Sequence, residues 1–218
     1  MTNQHKPYGV YEKNIKRIID VMCSIFILLL FWWIYIIVAI LVRIKLGSPV
    51  IFKQERPGKD GEIFSLYKFR SMSNATDNNG DLLPDEIRLT RFGKILRTTS
   101  LDELPEVVNI LRGDMSFIGP RPLAVKYLPY YTSQEMHRHD VRPGLSGMAQ
   151  VNGRNGLQWE ERFAYDLEYV NKITFRVDLK IVLLTIVKVF RKDGVVVRGT
   201  GKTIDFDKYR REQKKEEV

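Results

Sequence analysis

Thr98 to Pro122 reads TTSLDELPEVVNILRGDMSFIGPRP. Two adjacent acids, Asp102 and Glu103, stand where a helix would begin. Ser100 is placed to cap that helix, and Glu103 to reach back to the cap amide. Leu104, Val107, Val108 and Leu111 recur at helical spacing, so one face is apolar. Pro105 falls in the first turn, where no amide partner is lost, and Gly113 marks the end. Acids in a first turn are ordinary, because they complement the helix dipole. The same field favours an ionised Asp102 and can hold a phosphate nearby. An ionised carboxylate can attack phosphorus and form an acyl phosphate. Neighbouring helical residues point about 100° apart, so one acid would face the substrate and the other flank it. Two anions repel a diphosphate, so such a site calls for Mg²⁺ held by Asp102 and Glu103. Arg97 lies upstream. Downstream, Pro120 and Pro122 stiffen the chain around Arg121, whose guanidinium matches phosphate oxygens. A structural turn with a solvated arginine is the alternative.

Further upstream, Val21 to Val42 (VMCSIFILLLFWWIYIIVAILV) carries no charge. As a helix it is about 33 Å long, enough for a bilayer core. It is too long for a secretory signal. A buried helix of a soluble protein is the weaker alternative, because uncharged runs of this length are rare outside membranes. Lys13, Lys16 and Arg17 precede the run, and Arg43, Lys45 and Lys53 follow it. The positive-inside bias would put both flanks in the cytoplasm. A re-entrant helix over about residues 14–46, entering and returning on one side, satisfies this. No proline or glycine interrupts the run to kink it, so a true crossing with Met1 to Asp20 outside stays open.

The 218 residues carry a net charge of +9, which favours a polyanionic partner: nucleic acid, anionic lipid or nucleotide-sugar. Nucleic acid is not expected, because the cations surround Pro-Gly turns and an apolar anchor, not a recognition helix. Cys23 is the single cysteine, so no internal disulfide forms and a reducing compartment suits the chain.

Val50 to Gln54 and Ile63 to Phe69 read as two strands around a Pro-Gly and Asp-Gly turn. Lys68 and Arg70 fall on one side of the second strand, Tyr67 and Phe69 on the other. Ser73 to Pro84 is a polar loop of the kind that moves over a site, and Ile87 to Leu96 a short helix. Tyr127, Tyr130 and Tyr131 suit headgroup level or the core equally. His137 and His139 lack the further ligands a metal needs. Arg142-Pro143-Gly144 and Asn152-Gly153-Arg154-Asn155 are turns presenting an arginine. Trp159, Phe163 and Val170 lie at helical spacing. Asp166 between them is either a second acid of the site or an exposed residue. Leu179, Val182, Leu183, Ile186, Val187 and Phe190 form an apolar stripe, with Lys180, Lys188 and Lys192 elsewhere. Such a basic amphipathic helix suits the membrane surface or the core. From Gly199 the chain is charged with few apolar groups and reads as a loose tail.

LDELPEVVNILRGDMSFIGPRP resembles the signature of the bacterial monotopic phosphoglycosyl transferases, which are polyprenyl-phosphate sugar-1-phosphate transferases. The resemblance continues in FKQERPGKDGEIFSLYKFRSM (Phe52 to Met72), in VRPGLSGMAQVNGRN (Val141 to Asn155), and around Asp166 to Asp178. It runs from about Lys13 to Phe190 and is closest to small single-domain members that begin protein N-glycan assembly. Trp32-Trp33 stands where the family has a Ser-Pro bend, and Ser146-Gly147-Met148 where it usually has Trp after Thr-Gly.

The expected fold is α+β and mostly helical, with a small antiparallel hairpin, a re-entrant N-terminal helix and amphipathic interface helices. The expected units are an anchor (1–47), a catalytic domain (48–198) and a flexible tail (199–218). The resemblance implies a site on the cytoplasmic face of a bacterial inner membrane. There Asp102 would attack the β-phosphorus of a UDP-sugar and UMP would leave. Polyprenyl (undecaprenyl) phosphate would then take the phosphosugar. Glu103 would act as a base or hold Mg²⁺. Lys68, Arg70, Arg97 and Arg121 would meet phosphate or the lipid headgroup, and Arg142 and Arg154 the nucleotide-sugar, with Asp166 nearby. Under the N-glycan reading the donor is UDP-N,N'-diacetylbacillosamine. Under a rival reading the enzyme starts exopolysaccharide or capsule from UDP-galactose or UDP-glucose. A basic, membrane-anchored binding protein without chemistry is the rival of another class. A homodimer stays open as an assembly.

Overall fold

The computed structural model describes residues 5–7, 9–153, 157–191 and 204–216. Its longest element is α1 (Lys16–Leu46), entered through a π-helical turn, Tyr11–Ile15. With no proline or glycine inside it, α1 stays helical through Trp32-Trp33 and ends at Gly47, whose φ of 81° suits glycine. Ile18, Met22, Phe26, Leu29, Trp32, Ile36, Ile40 and Ile44 are exposed along it. The helix is long and apolar enough to cross a membrane, and a surface this greasy calls for lipid as its solvent.

Both ends of α1 rest on the rest of the chain. At its base Arg17 donates to the carbonyls of Ile110 (2.6 Å) and Leu111 (2.8 Å), and Asp20 accepts from the Phe117 amide at 3.1 Å. Buried Asp178 accepts from Tyr11 Oη at 2.8 Å, Lys16 Nζ at 2.6 Å and Tyr169 Oη at 2.8 Å. Toward the other end Val38, Val42 and Leu46 pack on Phe69 and Leu96, and Tyr35 Oη donates to the Leu104 carbonyl at 2.9 Å.

The hairpin β1 (Ile51–Pro57) and β2 (Ile63–Phe69) is antiparallel, with Phe52 opposite Lys68. Next come α2 (Asp85–Arg88), α3 (Arg91–Thr98), a 3₁₀ turn at Leu101–Glu103 and α4 (Glu106–Arg112). The single helix expected over Ile87 to Leu96 is thus split. Thr90 starts a new one, its hydroxyl accepting from the Gly93 amide at 3.1 Å. After β3 (Ser116–Ile118) and α5 (Ser133–Met136), β4 (Gly144–Ser146) pairs with β3 in parallel. Then follow α6 (Met148–Asn152), α7 (Trp159–Asn171), α8 (Phe175–Arg191) and α9 (Phe206–Glu216). The architecture is α+β, as expected.

Two expectations meet the coordinates at the C-terminal end. The α8 stripe is not spent on the core, because Asp178 and Ile181 face inward while Leu179, Leu183, Ile186 and Val187 stand exposed. The Phe190 side chain and Lys192 lie outside the described residues. The loose tail is corrected over 206–216, which form α9. Phe206 is fully buried against Tyr127, Trp159 and Phe163, with Tyr209 packed beside it, and this offsets the polar composition around them. Tyr127 and Tyr131 belong to the same cluster, so of their two expected places they take the core.

Asn109 fixes α4 to the hairpin. Fully buried, it accepts from the Tyr67 amide at 3.0 Å and donates to the Ser65 carbonyl at 2.8 Å and to Asp114 at 3.0 Å. Its amide thus stands in for a third strand along β2. Asn109→Ala would strand two backbone groups and lower stability by about 2 kcal/mol or more. Denaturant unfolding in detergent would read this; an unchanged midpoint would show that water replaces the amide.

Candidate active site

Sequence spacing put Ser100 at a helix cap, and the structure corrects this. Ser100 sits at φ 56° and makes no capping bond. Its left-handed turn swings the chain out of α3 and into the 3₁₀ turn, so α4 starts at Glu106, three residues after Glu103. Asp102 therefore lies in the lead-in to α4 and is buried, with 8% of its surface exposed.

Glu103 is the junction of the site. Its Oε1 accepts from Lys68 Nζ at 2.7 Å and from Arg121 Nη2 at 2.6 Å. Lys68 Nζ also lies 2.9 Å from Glu106 Oε1, close in distance but poorly angled, so that buried oxygen has no proper hydrogen bond. Among the described residues Asp102 has no hydrogen-bond partner. Arg97, within reach of its field, donates Nε to Ser71 Oγ at 2.9 Å. The α3 helix that carries Arg97 is pressed so closely on the exit of β2 that a Cβ at Gly93 would meet the Ser71 carbonyl oxygen at 1.8 Å.

The three carboxyls are set apart by their surroundings. Burial, helped by the Glu103 charge, pushes Asp102 up to about 6 against the pull of Lys68, Arg97 and Arg121. Burial also pushes at Glu103, but Arg121 and Lys68 overcome it and hold that carboxyl well below the usual range. Glu106 is pushed up to about 7, mainly by burial, with the Lys68 charge opposing.

The Arg121 loop is pinned by backbone contacts. The Gly119 amide donates to the Ser146 carbonyl at 2.9 Å, and the Gly144 amide to the Pro120 carbonyl at 3.0 Å. A Cβ at Gly119 would meet the Arg142 carbonyl oxygen at 2.5 Å, so only glycine allows the approach. Buried Arg138 donates to the Arg121 carbonyl at 2.7 Å. The Arg121 side chain as a whole keeps 39% of its surface open, while its Nη2 is held on Glu103.

Of the residues expected here, the coordinates bring together Asp102, Glu103, Lys68, Arg97 and Arg121. Arg70 is corrected: its guanidinium donates to the carbonyls of Leu46, Ser48 and Met72, closing the end of α1. Its amide donates to the Val50 carbonyl at 2.9 Å, continuing the hairpin pairing, so it is the carbonyls at the end of α1 that claim its side chain. Asp166 is corrected as well: 2% exposed, it is bound by Arg138 at 2.8 Å and acts as a structural pin. Arg142 donates to the Gly113 carbonyl at 2.8 Å and lines a cavity of about 210 Å³ at the base of α1. None of the five clustered residues lines that cavity. Arg154 lies outside the described residues. Sequence reasoning missed Glu106, Asn109 and Arg138. Only Glu106 left a signal, as an acid one helical turn from Glu103.

Among the described residues no three His, Cys, Asp or Glu groups converge. Mg²⁺ does not require that, since one or two carboxylates and substrate phosphates commonly hold it. Asp102 and Glu103 fit that pattern, although Glu103 Oε1 is already taken by two cations.

Glu106 also makes a stability prediction. Its folded value of about 7 exceeds the ordinary 4.5, so the folded state holds the extra proton between those values. Stability from this group is present below that window and is lost as pH rises through it. In metal-free protein Glu106→Gln should flatten the fall in stability between pH 5 and 7, by at most about 1.4 kcal/mol per pH unit. Equal slopes for the two proteins would reject the assignment.

Comparison with known proteins places the chain among sugar transferases. The bacterial sugar transferase family model matches residues 11–192. An uncharacterized sugar transferase of Bacillus subtilis, EpsL, is 49% identical over 83% of this chain and 90% of its own length. A UDP-glucose:undecaprenyl-phosphate glucose-1-phosphate transferase of Klebsiella pneumoniae is 42% identical over 80% of this chain, which spans only 40% of that relative. The galactosyl transferase CpsE of Streptococcus agalactiae is 38% identical over 92% of this chain and 46% of its own length. With a buried carboxylate ringed by cations and a family match across most of its length, this chain belongs to the bacterial sugar transferase family.

Proposed function

We propose that this protein transfers a sugar-1-phosphate from a UDP-sugar to undecaprenyl phosphate, with Asp102 as the nucleophile. The carrying observation is Asp102 itself: buried, without a hydrogen-bond partner among the described residues, and in the field of Lys68, Arg97 and Arg121. Glu103 takes up the neighbouring cations, so the Asp102 lone pairs stay available. An Asp102 oxygen attacks the β-phosphorus of the donor, the bond to the bridging oxygen breaks, and UMP departs with that electron pair. An oxygen of the lipid phosphate then attacks the same phosphorus and frees the carboxylate. Lys68 and Arg121 meet the charge that develops on the phosphoryl oxygens. Asp102 and Glu103 would hold Mg²⁺, which supplies charge neutralisation on the incoming diphosphate.

The apolar exposure of α1 and α8 supports work at a membrane surface, where a soluble donor meets an acceptor that stays in lipid. The reading includes a bacterial inner membrane, the cytoplasmic face, and an α1 that returns to the side it entered. Cationic flanks and contacts at both ends of α1 support it. The relatives' names, which print glucose, galactose and exopolysaccharide production, favour a glucose or galactose donor and an exopolysaccharide product over the N-glycan alternative.

UMP release should therefore be measured with a panel of UDP-sugars, undecaprenyl phosphate and Mg²⁺. Asp102→Asn should lower turnover by about 10³-fold or more, and Lys68→Ala by about 10²-fold. Mass spectrometry during turnover should find a phosphosugar on Asp102. An adduct elsewhere, or full activity in Asp102→Asn, would overturn the mechanism. No activity with any donor would leave the non-catalytic binding protein as the better reading.

A further inference from the structure

The α9 helix lies beyond residue 192, where the family match ends. Its first residue, Phe206, is 0% exposed and packs its ring 5.2 Å from Tyr131 and 5.0 Å from Phe163. Those two rings also flank the Arg138 guanidinium, at 5.7 and 5.8 Å. Arg138 in turn donates to Asp166 and to the carbonyl of Arg121. Phe206 is thus the back wall of a cage whose occupant holds the Arg121 backbone. A separate set of contacts ties the chain just past Pro122 to the start of α9. Lys126 Nζ lies 2.7 Å from Asp205 and 3.1 Å from Asp207, and Tyr127 Oη donates to Asp205 at 3.1 Å. Arg211 donates to Tyr130 Oη at 2.6 Å.

We propose that α9 is a working part of the active site, a clamp in which Phe206 is a positioning residue that sets where Arg121 points. This rests on the reading of Arg121 as a phosphate ligand. The physical need is clear from the geometry: two prolines stiffen the Arg121 loop, but a stiff loop transmits a shift of its anchor instead of absorbing it. A misplacement of about 1 Å at such a group can cost about 10²-fold in rate.

The test uses the full chain in two measurements. In hydrogen exchange, Phe206→Ala should speed the amides of residues 119–131 by about tenfold or more, while residues 51–69 stay protected. In UMP release with UDP-glucose or UDP-galactose, kcat should fall about tenfold, with a smaller change in KM. Phe206→Leu should restore most of it. In an Arg121→Ala background, Phe206→Ala should cost less than about twofold, because the two act through one group. Full additivity, or unchanged exchange at 119–131, would overturn the clamp. If Phe206→Ala loosens residues 51–69 too, the pair Asp205→Asn and Asp207→Asn serves instead. It leaves the ring in place and should give the same local pattern. Exchange does not depend on turnover, so a protein inactive with both donors still decides the clamp. That inactivity would count against the proposed reaction alone.

Discussion

Two cations from unconnected parts of the chain converge on one oxygen of Glu103. Lys68 arrives from β2 and Arg121 from the loop after β3, and no strand ladder joins those two elements. Half-buried pairs of this kind contribute little net stability, because desolvation and screening consume most of the Coulomb gain. Their effect is positional. A carboxylate with two fixed cations sets the spacing between hairpin and loop, and removing either partner leaves a charge poorly solvated. Asn109 reinforces the setting from behind by holding α4 along the edge of β2. The same pairing has a chemical result: cations satisfied by Glu103 sit beside Asp102 without being hydrogen-bonded to it.

The membrane helix is seated by similar means. Asp178 gathers Tyr11, Lys16 and Tyr169, so the base of α1 and the start of α8 meet at one buried carboxylate. The exposed apolar surfaces of both helices lead away from that point. Arg17 closes the C-terminal carbonyls of α4, and Arg70 closes those of α1. Guanidinium groups are suited to this, since several donors in one plane satisfy several orphan carbonyls. The anchor and the site-bearing helix are therefore coupled through backbone hydrogen bonds, and loss of the anchor would disturb α4 directly.

Period and punctuation made much of this legible. Strand alternation and a Gly-rich turn gave the hairpin, and helical spacing gave α4, α7 and α8. The uncharged run gave α1. What failed was inference about the surroundings of single side chains. Ser100 has the chemistry of a cap, yet its left-handed backbone points the chain elsewhere. Arg70 follows the strand pairing, yet its guanidinium is spent on carbonyls at the end of α1, which no strand pattern announces. Asp166 sits beside an apolar stripe, and only the fold supplies the Arg138 that makes it a buried pin. The β3–β4 pairing joins segments about 28 positions apart, a long-range contact that no local pattern encodes. The 206–216 segment looks polar because the face that docks it, Phe206, Tyr209, Arg210 and Gln213, holds one apolar ring and is otherwise polar.

Three carboxyls within five positions end up with three characters, and this bears on the chemistry. Glu103, held well below the usual range, is a poor base near neutral pH. In the structure its Oε1 is engaged by Lys68 and Arg121. Asp102, pushed up to about 6 by burial, is poorly solvated and has no hydrogen-bond donor among the described residues. A nucleophile needs that combination, because each hydrogen bond to its charge must be broken or weakened in the attack. Glu106 is pushed up by burial against the opposing Lys68 charge, which lies 2.9 Å from it. The division follows from partners and burial, since residue type and sequence neighbourhood are nearly the same for all three.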